Sequence, residues 1–191
     1  MYKFEGVDTV VLFDEMAFED LLVFEWRVVD AGVGHLLTAQ HAERNIKVLQ
    51  VCLAAEAQSA VEVFDDKNPL VLDLHRIEAK LNMVLEVLGH LVASARTLGE
   101  PRRIRFNAMG ALWAAEGLAP AVGTVGELRI HLPECLALPL VFGATVIGAT
   151  EHGRVRVQFA PPGEAVADLI GKLAFRRHRR QVAGVRQHHW D

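Results

Sequence analysis

Apolar and polar residues alternate through LLVFEWRVV, residues 21–29. Leu22, Phe24, Trp26 and Val28 fall on one face, and Glu25 and Arg27 point the other way. That period of two predicts a half-buried strand, which Asp30, Gly32 and Gly34 then stop. A short strand is also expected at 8–13, DTVVLF, with DEMAFED after it as an acidic loop. From about residue 37 the period becomes helical and stays so to residue 98. The first helix is expected over 38–64 with Thr38 as its N-cap, and DDKN is the turn that ends it. The second starts at Asn68 as N-cap and Pro69 as first helical residue, where a missing N–H leaves nothing unsatisfied. Gly99 is placed to supply its left-handed cap, and Pro101 prevents continuation.

After residue 102 short strands return. RRIRFNAMGALW has a glycine in its middle, and ELRIHLP sets Leu128, Ile130 and Leu132 on one side. PLVFGATVIGA is an apolar run broken at Gly143, and GRVRVQFA sets Val155, Val157 and Phe159 against Arg154, Arg156 and Gln158. Strands this short and close predict an antiparallel sheet or small barrel, with a last helix from about residue 163. The class is α+β. Residues 1–36 form an N-terminal segment with the first barrel strand, 37–99 a helical insertion, and 100–191 the barrel with its C-terminal helix.

The second helix carries the strictest pattern. Leu70, Leu74, Ile77, Leu81, Val84, Leu88, Leu91, Ala95 and Leu98 are spaced alternately four and three apart, the heptad period of a coiled coil. Leu74, Leu81, Leu88 and Ala95 take the a positions; Ile77, Val84, Leu91 and Leu98 take d. Leucine at a with β-branched residues at d favours four strands over two, and the flanking apolar residues Leu85, Val87 and Val92 widen the seam. The alternative is an intramolecular hairpin on the first helix, through its Ile46, Leu49, Leu53 and Ala60. A helix of about 30 residues spans about 45 Å, more than one packed face of a small barrel needs, so a homo-oligomer, a tetramer by preference, is expected.

Composition narrows the function classes. No uninterrupted apolar run of 18 residues exists, so no membrane span is expected, and no basic leader precedes an apolar run. Cys52 and Cys135 have no CxxC spacing and read as small core residues of a cytoplasmic protein. Nine histidines show no ligand spacing, so no metal is expected. No nucleophile elbow, phosphate loop or dinucleotide fingerprint is present, so no catalytic residue and no cofactor are expected.

A net charge of −4 argues against a nucleic-acid binder. The charge is unevenly spread. Up to residue 152 there are 12 Lys and Arg against 21 Asp and Glu; after it, 8 against 3. The excess concentrates in FRRHRRQ, residues 175–181, at the end of the last helix. Val166, Leu169, Ile170 and Leu173 share that helix's apolar face, which continues onto Arg177 and Arg180. Arg176, Arg177, Arg179 and Arg180 have three possible uses: a solvated end favoured by the helix dipole, a surface for an acidic partner or the chain's own acidic N-terminal segment, and a phosphate site.

The order of these strands, FNAMGALW, a Gly-marked turn, ELRIHLP, PLVFGATVIGATEHGRVRVQFA, then a helix ending in LAFRRHRRQ, resembles the PilZ domain over about residues 101–187 plus strand 21–29. The resemblance implies a six-stranded bacterial barrel, many relatives of which bind cyclic di-GMP. The family's Asp/Asn-x-Ser-x-x-Gly motif falls on Arg105, Asn107 and Gly110; only the glycine is kept. Its Arg-x-x-x-Arg pair before the first strand is absent, because the first arginine of the chain is Arg27, already within that strand. Losing two such charge-assisted contacts costs about 3–6 kcal/mol, or about two to four decades of affinity. The resemblance therefore implies a PilZ-like oligomeric adaptor with an unidentified protein partner and weak or no cyclic di-GMP binding. The alternative is a receptor that binds through Arg102, Arg103 and Arg105 with Asn107 and Gly110.

Overall fold

A computed structural model describes residues 3–4, 7–8, 10–29, 34–58, twelve positions between 73 and 91, 99–115, 117–149 and 153–187. Ten strands occur among them: β1 (Lys3–Phe4), β2 (Val7–Asp8), β3 (Val11–Leu12), β4 (Glu15–Met16), β5 (Phe18–Val28), β6 (Arg102–Phe106), β7 (Gly110–Ala114), β8 (Val125–His131), β9 (Leu140–Ala149) and β10 (Arg154–Phe159). Helix α1 spans Gly34–Gln58 and the C-terminal helix α3 spans Glu164–Gln187. The helical positions described between Asp73 and Leu91 are termed α2.

Six strands close a barrel in the order β10-β7-β6-β5-β8-β9, every pairing antiparallel. The expected α+β class and small barrel are thus observed, with the helical segment inserted between β5 and β6. β5 is long enough, at 11 residues, to pair with β6 through its first half and β8 through its second. Alternation delivers the core: Leu22, Phe24, Ile104, Phe106, Leu128, Ile130, Val155 and Val157 are all buried. Phe142 stacks on Phe159 at 4.3 Å, and Phe24 meets Trp113 edge-on at 5.6 Å. Gly126 is required by close approach, since a Cβ there would lie 2.3 Å from the Trp26 ring.

Several expectations need correction. Gly143 does not interrupt its strand; β9 runs through it, and Leu140 to Ala144 are all buried. One face of that run fills the barrel and the other lies under α1, and burial on both faces is what an uninterrupted apolar run supplies. For the same reason Glu127 and His131, on the outer side of β8, are buried rather than solvated. Helix α1 begins at Gly34, so Thr38 lies inside it; a helical Thr costs only about 0.7 kcal/mol or less, which the helix readily absorbs. Gly99 does not take the left-handed conformation, which among described glycines occurs at Gly117, Gly123, Gly153 and Gly163. Residues 59–72 and 92–98, with the Asn68–Pro69 cap and heptad members Leu70, Ala95 and Leu98, lie outside the described residues.

Helix α1 packs on β9, on α3 and on the 3-10 turn Pro133–Cys135. Its buried stripe is Asn45, Val48, Leu49, Cys52 and Glu56, at helical spacing. Ile46 and Leu53 pack against the same core. Asn45 acts as a strand partner for Val141: its Nδ2 donates to Val141 O at 2.8 Å, and Val141 N donates to its Oδ1 at 2.9 Å. Asn45→Ala strands both backbone groups in the interior, so a loss of about 2–3 kcal/mol is expected in urea denaturation.

Candidate functional site

The positions of the degenerate ligand motif lie on the β6–β7 hairpin, and the chain itself engages most of them. Arg105 donates to Glu19 Oε2 at 2.8 Å and to Val11 O at 3.1 Å. Asn107 is buried; its Nδ2 donates to Leu12 O at 2.6 Å while its Oδ1 accepts from the N–H groups of Met109 and Gly110. That is the turn-forming use of an asparagine, and it consumes the side chain the ligand-site reading required. Arg102 stacks over the Phe24 ring at 4.2 Å and donates to Phe24 O. Arg103 is the open member, 75% exposed, with Glu19 3.8 Å away. Gly110 leaves room for neighbours: a Cβ there would meet Val157 O at 2.1 Å and the Phe13 ring at 2.7 Å.

The groups over this motif come from the N-terminal segment. β3 and β4 form a two-residue hairpin, with Val11 opposite Met16 and Leu12 opposite Glu15. Its turn residues Phe13 and Asp14 both have positive φ, 53° and 62°. Such turns favour Asn-Gly, and each non-glycine residue held there costs about 1–3 kcal/mol. The Phe13 ring lies under the Arg156 guanidinium, 4.1 Å from its centre.

The basic end of α3 is only partly solvated. Arg177 reaches inward to three carboxylates, forming ion pairs with buried Glu56, with Glu134 and, at 3.5 Å, with Asp20. Its guanidinium also stands over the Phe18 ring. Arg180 pairs with Glu56 at 2.6 Å, and Arg176 donates to Leu53 O at 2.8 Å. Arg179 lies against Phe175. Of the cluster, Arg177 is turned inward and Arg177 and Arg180 bind the chain's own acidic groups, joining α3 to α1, β5 and the Pro133–Cys135 turn, while Arg176 and Arg179 stay exposed. Cys52 lies in the same layer. Burial pushes its thiol pKa up, with the Glu134 charge adding to the effect, so it behaves as an inert core residue. Cys135 is partly buried, which raises its pKa in the same direction.

The heptad stripe is in the opposite situation. Leu74, Ile77, Leu81, Val84, Leu88 and Leu91 are each 49–59% exposed in the single chain. Met83 and Val87 beside them are also exposed. The hairpin alternative required α1 to cover this stripe, but Leu49 of α1 is fully buried and Ile46 and Leu53 are engaged on the barrel core. Six large side chains along one helix form a patch of the kind that marks an interface. Among the described residues no group of His, Cys, Asp or Glu is disposed to hold a metal, and no helix is long and apolar enough to cross a membrane.

Sequence reading offered the chain's own acidic N-terminal segment as a partner for the arginines, and Asp20 is one, but it missed Glu56 and Glu134 and the polar members of the α1 stripe, which left signals. Asn45 and Glu56 stand at helical spacing within an apolar face, and Arg177 and Arg180 continue the apolar face of α3. Opposite charges placed within two packing stripes are candidates for one another.

Comparison with known proteins agrees with this architecture. A family model described as an atypical PilZ domain, cyclic di-GMP receptor, matches residues 49–187. Among solved structures, a pathogenic protein from Xanthomonas campestris, a tetrameric PilZ domain self-assembled through a helical bundle, superposes with a TM-score of 0.66. The match covers 91% of this chain and 90% of that one at 24% identity, and shows the shared fold. No curated protein matches. With the closed six-stranded barrel, the flanking α3 and the family match over most of its length, this chain belongs to the atypical PilZ domain family.

Proposed function

We propose that this chain is a non-catalytic, oligomeric adaptor in bacterial cyclic di-GMP-related signalling. It acts in the cytoplasm with a protein partner and assembles as a tetramer through α2. The half-exposed heptad stripe carries the reading: Leu74, Ile77, Leu81, Val84 and Leu88 keep about half of their surface exposed among the described residues, apolar area that a second chain would cover. The Xanthomonas campestris protein assembles through a helical bundle, which supports the same use of α2 here. In this arrangement the barrels surround a helical core and present their outer faces. Sedimentation equilibrium of the purified chain tests the assembly, and a monomer at micromolar concentration overturns it.

The resting chain is expected to bind cyclic di-GMP no tighter than about 10 μM, because two charge-assisted contacts are absent from its motif. Arg105 and Asn107 are in addition engaged within the chain. Calorimetric titration measures this directly. One observation favours the receptor reading instead: the matched family is described as a cyclic di-GMP receptor, and Arg103 is open beside the motif. A submicromolar dissociation constant would establish that reading in place of the adaptor.

A further inference from the structure

The β3–β4 hairpin makes three contacts with the motif face, and each has a counterpart in a nucleotide. Val11 O gives the Arg105 guanidinium an acceptor oxygen at 3.1 Å, as a phosphoryl oxygen does. Leu12 O gives the Asn107 amide an acceptor at 2.6 Å, as a base edge does. The Phe13 ring lies flat to the approach of Arg156 at 4.1 Å and against Gly110, as a base does beneath an arginine. We propose that the hairpin is an internal surrogate ligand, filling a site for a nucleotide-class ligand on the β6–β7–β10 face and competing with that ligand for it.

The strand register shows why a phosphate-bearing competitor has an advantage. Across neighbouring strands Arg156 stands opposite Leu112, Leu112 opposite Arg105, and Arg105 opposite Glu19. Arg154 stands opposite Ala114, and Arg103 opposite Leu21. Arginines on β6 and β10 thus flank β7, with Glu19 at the end of the row. The hairpin groups that touch Arg105 and Arg156 are a carbonyl and a ring, both uncharged. Glu19 already pairs with Arg105 at 2.7 Å, so the negative charge a nucleotide adds would chiefly meet Arg156, whose hairpin partner is an uncharged ring.

The hairpin is also built to lift. It has one pair of residues on each side of its turn, and two-stranded ribbons that short are marginal alone. Its turn holds two consecutive non-glycine residues at positive φ, so the closed form stores backbone strain. The three contacts with the motif face, the burial of Leu12 and Ala17, and the Ala17 N–H donated to Val10 O at 2.9 Å hold it closed.

This inference rests on the reading that the resting chain binds cyclic di-GMP weakly, and gives that weakness a second cause. The test combines calorimetric titration with cyclic di-GMP and hydrogen exchange of peptides spanning residues 10–17, on the full chain. Phe13→Ala removes the ring; exchange over 10–17 should accelerate and affinity for cyclic di-GMP should rise at least ten-fold. Asp14→Gly relieves the turn and leaves the ring in place, so exchange should slow without a gain in affinity. In the unmodified chain, millimolar cyclic di-GMP should accelerate exchange at 10–17 while slowing it in β6 and β7, a readout that needs no variant. Exchange that stays unchanged with millimolar ligand, or accelerates in Phe13→Ala without a gain in affinity, overturns the proposal. Tight binding by the unmodified chain that becomes tighter still in Phe13→Ala would sink the adaptor reading and leave the surrogate ligand standing. Weak binding unchanged in Phe13→Ala does the reverse.

Discussion

Leu81→Glu combined with Leu88→Glu is expected to convert the proposed tetramer into a folded monomer at micromolar concentration. Both residues occupy a positions of the heptad and are about half exposed in the single chain, 57% and 49%. Completing the burial of a half-buried leucine contributes about 1 kcal/mol, so the six described stripe positions supply about 6 kcal/mol per chain. The double substitution removes two of these contributions. It also places eight carboxylates in the seam of a tetramer, each costing several kcal/mol to desolvate without a partner. The deficit exceeds what the remaining apolar positions can offset. Glutamate is close to leucine in helix propensity, so α2 loses its partners rather than its helicity. Ala79→Glu is the matched control, because Ala79 falls at the f position, opposite the seam. Sedimentation equilibrium should then give a monomer for the double variant and a tetramer for the control, with far-UV circular dichroism nearly unchanged in both. A double variant that sediments with the unmodified mass would remove α2 from the interface.

The heptad was legible because it is local: spacing along one helix needs no knowledge of the rest of the chain. Most barrel strands were legible for the same reason, since period-two alternation marks β5, β8 and β10 and an unbroken apolar run marks β9, and their order carried the family resemblance. What the sequence concealed was contact between distant segments. Asn107 reads as a degenerate serine of a ligand motif, but it closes a turn and holds Leu12, 95 residues earlier. Phe13 reads as the last residue of a short strand, and in fact turns back over Gly110 and beneath Arg156. Arg177 reads as part of a solvated basic run because Glu56 and Glu134 come from elements far away in sequence. A basic run has no intrinsic direction; only the packing of α3 against α1 decides that Arg177 points inward while Arg179 lies along the helix surface against Phe175.

That inward arginine leads to the second large effect expected, in folding rather than assembly. Arg177→Met should destabilise the chain by about 3–5 kcal/mol, the usual cost of removing one partner from a buried ion pair. The Arg177 side chain is mostly buried, and its guanidinium is shared by Glu56, Glu134 and Asp20. Without it, Glu56 keeps, among the described residues, Arg180, which is itself half exposed and reaches one carboxylate oxygen at 2.6 Å. Glu134 and Asp20 lose a cation that joined the Pro133–Cys135 turn and β5 to α3. Methionine fills much of the volume, so the loss reflects uncompensated charge more than a cavity. Lysine would not restore the site, because a single ammonium cannot address three carboxylates in the fork geometry of a guanidinium. Glu56→Leu alone should cost less, since Arg177 keeps two partners. The pair Glu56→Leu with Arg177→Met should recover at least about 2 kcal/mol of the sum of the single losses, because two apolar groups replace two charges together. For a domain of this size the single Arg177 substitution corresponds to a fall of about 6–20 °C in Tm. Urea denaturation of the four proteins completes the cycle. If Arg177→Met shifts stability by less than about 1 kcal/mol, then α3 is held to the barrel by Val166, Ile170 and Leu173 alone, and the arginine only borders that contact.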